Sequence, residues 1–493
     1  MTVPPGPLRS LRSDTEAAET VDVTTPNGVL RGYVDGDLLR FRGVRYAKAS
    51  RFELPVAEHP WQGVREALHD GPMCPQPPFG LALLAVPKPV PPMDEDCFFV
   101  TITAPAPGSA SAPSTAPAAG SSAIPMQAGQ ATKPVMVWIH GGAYVNGSGS
   151  GDIYDPARIV RDGDVIVVAI NYRLGVFGYL AIDGVAPANL GVADQLEALR
   201  WVKANIASFG GDPGNITVFG QSAGADAIAH LLSIPEADGL FSRAILQSPP
   251  LGLDRERQKL SPQLTSNVLR ALGEDPATAS VERMLAAQVA AMQGLSGDRL
   301  TAGMPYAPTP GEWPISLPER RQTRWRARAA SLDVLIGYNR DDFTPFLDVV
   351  PALRRARARR LVRPATEPLS RVLTNRVFGA PALALARLLA GGGARVYTYR
   401  FDWRPRSTAW GACHCIELPF FWADEEFWRG SPMLGGVDWA DLDELGSRLR
   451  RAWTAFARSG VPVLDGQAGA WAEVSDEHPI GVKITFDPRY SPR

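Results

Sequence analysis

The chain has 493 residues, of which 45% are hydrophobic and 20% charged, enough apolar material for a sizeable core. Lys plus Arg number 50 against 51 Asp plus Glu, a net charge of −1. That balance gives no bulk pull toward nucleic acid or anionic lipid, so neither is expected as a partner, and no membrane association is expected.

Residues 1–20 lack an apolar stretch of the kind that opens a secretory signal, and they read as a loose tail. No run reaches the length expected of a transmembrane helix. Four cysteines in so long a chain do not make a disulfide framework, so the expectation is a cytoplasmic protein with reduced thiols. From Val21 to Lys48, β-prone runs broken by Pro26-Asn27-Gly28 and Asp35-Gly36-Asp37 predict a small antiparallel sheet. Residues 104–132 are rich in Ala, Pro, Ser and Gly, and such a segment buries too little apolar surface to offset its ordering entropy. It reads as a flexible surface insertion within a single domain of residues 21–490.

After it, short apolar runs recur: VMVWI, VIVVAI, NITVF, RAILQ, DVLIG and VYTYRF. Runs of this kind are strands buried on both faces of a parallel sheet. Helical patterns alternate with them, among them Gly191–Gly210, where Leu196, Leu199, Trp201 and Ile206 form an apolar stripe. The fold class is therefore α/β, a mostly parallel sheet with helices on both faces. The arginine-rich run from Leu353 to Arg360 reads as a solvated helix face.

Chemistry concentrates around Gly220-Gln221-Ser222-Ala223-Gly224. A strand pattern, Asn215–Phe219, precedes it and a helical pattern follows, so Ser222 sits on a strand-to-helix turn. Flanking glycines suit a nucleophile held on such a turn, because larger side chains would strike neighbouring backbone. A serine hydroxyl needs a base to take its proton. Of six histidines, His414 and His478 alone follow Ser222 late enough to leave room for an acid between. His478 lies in a polar loop. His414 lies in a small-residue loop after the last apolar strand, where a catalytic base belongs. The strand ending at Asn339-Arg340-Asp341-Asp342 offers two carboxylates, one to orient the imidazole and one for a cap or for Arg340. The turn after VMVWI, His140-Gly141-Gly142-Ala143, together with Ala223, supplies backbone amides for a developing oxyanion.

These stretches together resemble the type-B carboxylesterase and cholinesterase family of α/β-hydrolases. FRGVRYA, the Asp94–Cys97 stretch, VMVWIHGGAYVNGS, NYRLGVFGYL and SFGGDPGNITVFGQSAGA are similar to family motifs and come in the family's order. The resemblance implies a serine carboxylesterase acting on small-molecule esters through an acyl-enzyme, with no metal or cofactor. It implies Ser222 as nucleophile, Asp342 as acid and His414 as base, with the amides of Gly142, Ala143 and Ala223 as the oxyanion hole. Cys74 and Cys97 stand where many secreted members carry a disulfide.

The departures are informative. Asp replaces the family's Glu at 342, one methylene shorter. Gln221 replaces the usual Glu, removing a negative charge that would favour a cationic substrate, so a choline ester is disfavoured. Phe343, Phe346, Phe420 and Trp422 are candidates to line the acyl and alcohol pockets. Thioester, amide or carbamate hydrolysis would use the same site. A non-catalytic interaction module of this fold is the reading from another class. The sequence leaves monomer and homo-oligomer open.

Overall fold

The computed structural model describes residues 19–78, 91–107, 132–295, 304–359, 362–422, 425–464, 471–475 and 477–485. Most of the expected tail and insertion lies outside these residues. Eleven strands follow one path through the main sheet. In chain order they are β1 (Thr20–Thr25), β2 (Gly28–Asp35), β3 (Leu38–Arg45), β4 (Phe99–Pro105), β5 (Lys133–Ile139) and β6 (Ile166–Ile170). They continue as β7 (Gly211–Gln221), β8 (Arg243–Gln247), β9 (Asp333–Asn339), β10 (Arg395–Phe401) and β11 (Val482–Ile484). Their spatial order is β1-β2-β3-β4-β6-β5-β7-β8-β9-β10-β11. The pairs from β1 to β6 are antiparallel. All pairs from β6 onward are parallel.

The α/β class is as the sequence implied. The N-terminal antiparallel strands join the large sheet through β4 as its edge, and a separate two-stranded sheet pairs Ala47–Lys48 with Val56–Ala57.

The apolar runs are buried on both faces because alternate side chains enter different cores. Val135, Val137 and Ile139 of β5 join one cluster with Ile216 and Val218. Met136 and Trp138 join another with Phe219, Trp422 and Trp453. Helix α1 (Leu190–Asn205) covers the first face, with Leu196, Leu199 and Trp201 buried as the stripe predicts. A later helix, Trp439–Ser459, covers the second through Leu449, Trp453 and Phe456.

One expectation needs correction. Residues Arg363–Gly391 form a continuous helical run of 29 residues that is long and apolar enough to cross a membrane by length and composition alone. It passes that test because its C-terminal half, rich in Ala and Leu, packs Ala382, Leu385, Ala386 and Leu389 into the main core.

The sheet's central turn is clamped electrostatically. Arg173, just beyond β6, donates to Asp194 of α1 from Nε at 2.9 Å, from Nη2 at 2.7 Å and from its own amide at 3.0 Å. Both side chains are buried. Removing one partner leaves an uncompensated charge, so Asp194→Ala is expected to cost about 3–5 kcal/mol, read as a lower urea midpoint.

Candidate active site

Every residue singled out for catalysis lies in a segment that follows the carboxyl end of a strand in the parallel part of the sheet, where open α/β sheets place their ligands. β7 runs between β5 and β8 and ends at Gln221. The chain then reverses at Ser222 into helix α2 (Ala223–Leu231). Ser222 has φ 56° and ψ −123°, a conformation that costs a non-glycine residue roughly 1–3 kcal/mol. Two hydrogen bonds hold it there. Its amide donates to the Gln247 carbonyl at 2.9 Å, and its carbonyl accepts from the Asp226 amide at 2.9 Å. A Cβ on Gly220 would lie 2.7 Å from the Ile139 oxygen, and one on Gly224 would run into that same oxygen. The flanking glycines therefore have the steric role the sequence suggested.

The loop after β5 wraps over this turn. Gly142, Ala143 and Tyr144 have φ of 119°, 57° and 59° in succession, and the amides of Val145 and Asn146 both donate to the Gly142 carbonyl at 3.0 Å. Successive amides in so tight a turn form a concavity suited to an anion. Among the described residues, the amides of Gly142, Ala143 and Ala223 donate to no protein acceptor. A Cβ on Gly141 would stand 3.2 Å from that of Ser222, so the loop lies against the serine.

Tyr144 anchors the loop. Its hydroxyl donates to Asp226 Oδ2 at 2.8 Å, which also accepts from Arg257 at 2.9 Å, and its carbonyl accepts from the Gly175 amide at 2.7 Å. The sequence reading missed this anchor, because nothing local marks an aspartate one helical turn after Ser222 as the partner of a tyrosine far upstream.

The two carboxylates after β9 separate as the sequence required without saying which was which. Asp342 Oδ1 meets His414 Nδ1 at 2.8 Å, both side chains buried. Its Oδ2 accepts from the Asn339 amide at 2.7 Å and the Ser248 hydroxyl at 2.8 Å. Asp341 instead takes Arg340 and the Ala412 amide, fastening the His414 loop. Because Asp342 is an acceptor, the imidazole carries its proton on Nδ1. Nε2 then holds the lone pair, and the Gln221 side-chain amide stands 3.2 Å from it. Among the described residues no hydrogen bond joins the Ser222 hydroxyl to the ring. Thus the structure pairs Asp342 with His414 and places Gln221, next to Ser222, against the free ring nitrogen. His478 is exposed, far from this arrangement in environment.

Other buried histidines are held neutral. Burial brings His140 down to about 4, and its ring stacks on Tyr172 with centroids 4.4 Å apart. Burial, with the neighbouring Arg321, brings His230 to about 3. Ligand-type atoms of Asp226, His230 and Asp254 lie within 4.8 Å of one another. Two guanidinium groups already occupy them: Arg257 meets Asp226 at 2.9 Å, and Arg321 meets Asp254 at 2.9 Å. The cluster is a buried ion-pair network and does not suit a metal.

The four aromatic candidates divide. Phe346 lies 5.4 Å from the His414 ring and 5.4 Å from Phe343. Phe378, which the sequence did not single out, lies 5.1 Å from His414. With Ala143 they belong to a small apolar cluster beside the site. Phe420 and Trp422 belong to the opposite core, packed on Trp403 and Trp138 at 4.8 Å each. All four cysteines are free and buried, so Cys74 and Cys97 form no disulfide.

A sheet of this order, with serine and carboxylate past the ends of β7 and β9 and histidine in the loop after β10, defines an α/β-hydrolase. The chain belongs to the carboxylesterase family, whose model matches residues 19–360 and 354–492. It is 36% identical over 89% of its length to a probable N-octanoylanthranilate hydrolase of Rhodococcus erythropolis, covering 93% of that protein. It is 34% identical to the para-nitrobenzyl esterase of Bacillus subtilis, over 89% of this chain and 90% of that one. Among solved structures it is similar to the carboxylesterase EST55 of Geobacillus stearothermophilus, with TM-score 0.74 and 31% identity over 94% of this chain and 96% of that one. The protein is a carboxylic ester hydrolase, and small-molecule esters are its substrate class.

A second buried acid adjoins the site. Asn339 Nδ2 bridges the Cys413 carbonyl, at 2.9 Å, and the Glu417 carboxylate. Burial first, and then the charge of Asp342, push Glu417 up to about 7 from an ordinary 4.5. Below the ordinary value both folded and unfolded chains hold the proton, so no penalty arises; between about 4.5 and 7 the unfolded chain releases it while the folded chain keeps it, and stability falls until both are ionised. Wild type should therefore lose roughly 3 kcal/mol between about pH 4.5 and 8 that Glu417→Gln retains. Unfolding midpoints across that range check it, the variant's profile being the flatter.

Proposed function

We propose that this carboxylic ester hydrolase works as a serine esterase through an acyl-enzyme, with Ser222 as nucleophile, His414 as base and Asp342 as the acid that orients it. The observation that carries the reading is the buried 2.8 Å contact between His414 Nδ1 and Asp342 Oδ1, which leaves Nε2 unprotonated on the side of Gln221 and Ser222. Catalytic hydrogen bonds of unliganded enzymes are often long and close when substrate binds. In this reading, His414 Nε2 takes the Ser222 proton as Oγ attacks the ester carbonyl. The amides of Gly142, Ala143 and Ala223 receive the tetrahedral oxyanion. His414 returns the proton to the leaving alkoxide, and the alcohol departs. Water then repeats attack and collapse at the acyl-enzyme, releasing the acid and restoring Ser222.

Phe346 and Phe378, beside His414, favour an uncharged apolar or aryl group on the substrate. A second reading keeps the site and changes the bond. The similarity to a protein whose name makes it an N-octanoylanthranilate hydrolase favours amides as that alternative. We also read the protein as cytoplasmic, which four free thiols support.

Hydrolysis of p-nitrophenyl esters of increasing acyl length tests the assignment. Ser222→Ala and His414→Ala should each lower kcat by roughly four to six orders of magnitude. Asp342→Asn should lower it by about four, while Asp341→Asn keeps most of it. Turnover surviving Ser222→Ala would overturn the assignment.

Tyr144→Phe removes one bond to a charged acceptor and frees the loop. Its kcat should drop by about 10- to 100-fold with KM little changed, as a loss of oxyanion stabilisation requires.

A further inference from the structure

Helix α3 (Pro351–Ala358) and helix α4 (Arg363–Thr374) follow the Asp342 loop, and α4 is built inside out. A surface helix ordinarily turns its apolar stripe inward. Here the buried residues are Thr366, Ser370 and Thr374, one turn apart. Their hydroxyls are used: Thr374 accepts the Phe343 amide at 2.9 Å, Ser370 meets Thr344 at 2.6 Å, and Thr366 accepts from Arg357 at 3.3 Å. The apolar stripe faces solvent. Val362 is 39% exposed, Leu369 42% and Val372 64%, and Val349 ahead of α3 is 68% exposed.

The adjoining α3 segment is basic. Arg354, Arg355 and Arg359 are exposed and meet no acidic partner among the described residues. The two nearby acids are engaged, Asp348 with Arg357 at 2.9 Å and Glu367 with Arg371 at 3.4 Å. The net charge of −1 for the whole chain conceals this local excess.

We propose that the α3–α4 face docks on an anionic lipid surface. Exposed aliphatic side chains flanked by unpaired arginines match such a surface, where apolar groups enter the acyl boundary and each arginine near the headgroups adds attraction. A second copy of the chain fits less well, because Asp348 and Glu367 are already engaged and leave the arginines no nearby carboxylate to meet across a two-fold contact. The buried side of α4 holds Phe343 and Thr344, which directly follow Asp342. The docked face therefore lies about one helix diameter, ~10 Å, from the acid's loop, and an ester carried in the lipid would be presented beside the site. Docking itself does not rest on the role given to Ser222.

Flotation with vesicles of phosphatidylcholine alone, or mixed with phosphatidylglycerol, tests the proposal on wild type and Ser222→Ala alike. Both should bind the phosphatidylglycerol vesicles about tenfold or more strongly, with binding falling as salt is raised. The double variants Arg354→Glu/Arg355→Glu and Leu369→Ser/Val372→Ser should each lose about tenfold or more of that binding. Both should keep wild-type hydrolysis of a short soluble ester, which shows that they fold. Equal binding to both vesicles, or binding retained by the variants, overturns the proposal. So does a concentration-dependent dimer in sedimentation velocity that Leu369→Ser/Val372→Ser abolishes, since the face would then belong to a second copy.

Discussion

The carbonyl oxygen of Ile139 occupies the space where side chains at positions 220 and 224 would project. That close approach lets α2 begin against the end of β5, and it sets the distance between the serine turn and the loop that follows β5. The strained backbone of Ser222 persists because the surroundings over-determine it: strand pairing on both sides of β7, an amide bonded to β8 and a carbonyl bonded into α2. Tyr144 then ties the second left-handed turn to the same helix through Asp226. The two strained segments thus share one support, and neither can relax without disturbing the other.

Around this rigid half the electrostatics are sorted by distance from His414. Asp342 keeps the imidazole proton on Nδ1 while Asn339 and Ser248 occupy its other oxygen. His140 and His230 are kept uncharged by burial, and so do not add positive charge near the serine. Gln221 offers a neutral donor to Nε2. The stronger ion pairs, Arg257–Asp226 and Arg321–Asp254, are set behind α2, where they stiffen the scaffold.

Much of this was legible in the chain itself. Parallel strands announced themselves as short apolar runs because each is buried on two faces, and the glycine-flanked serine announced a turn because bulk is excluded there. His414 followed from chain order. What stayed hidden depended on contacts between distant segments. Ser248, Glu417 and Asp226 carry no local signature, since each gains its place from a partner some 70 or more residues away, and Phe378 gains its place from the His414 ring. The residues alone left Asp341 and Asp342 open, and it was the family resemblance that pointed to Asp342, the carboxylate that meets His414. The inverted stripe of α4 has no signature in the chain, because periodicity can reveal that a helix has an apolar side while saying nothing about which side faces out.

The hydroxyl bonds beneath α4 have a further bearing on how such an enzyme diversifies. The serine side of the site is close-packed and tolerates little change. The wall carrying Phe343, Phe346 and Phe378 is fastened to α4 by a few exchangeable side-chain hydrogen bonds. Phe346 and Phe378 lie against the His414 ring, so substitutions in that wall would reshape the surface beside it. One side of the site is held by close-packed backbone, the other by replaceable side chains.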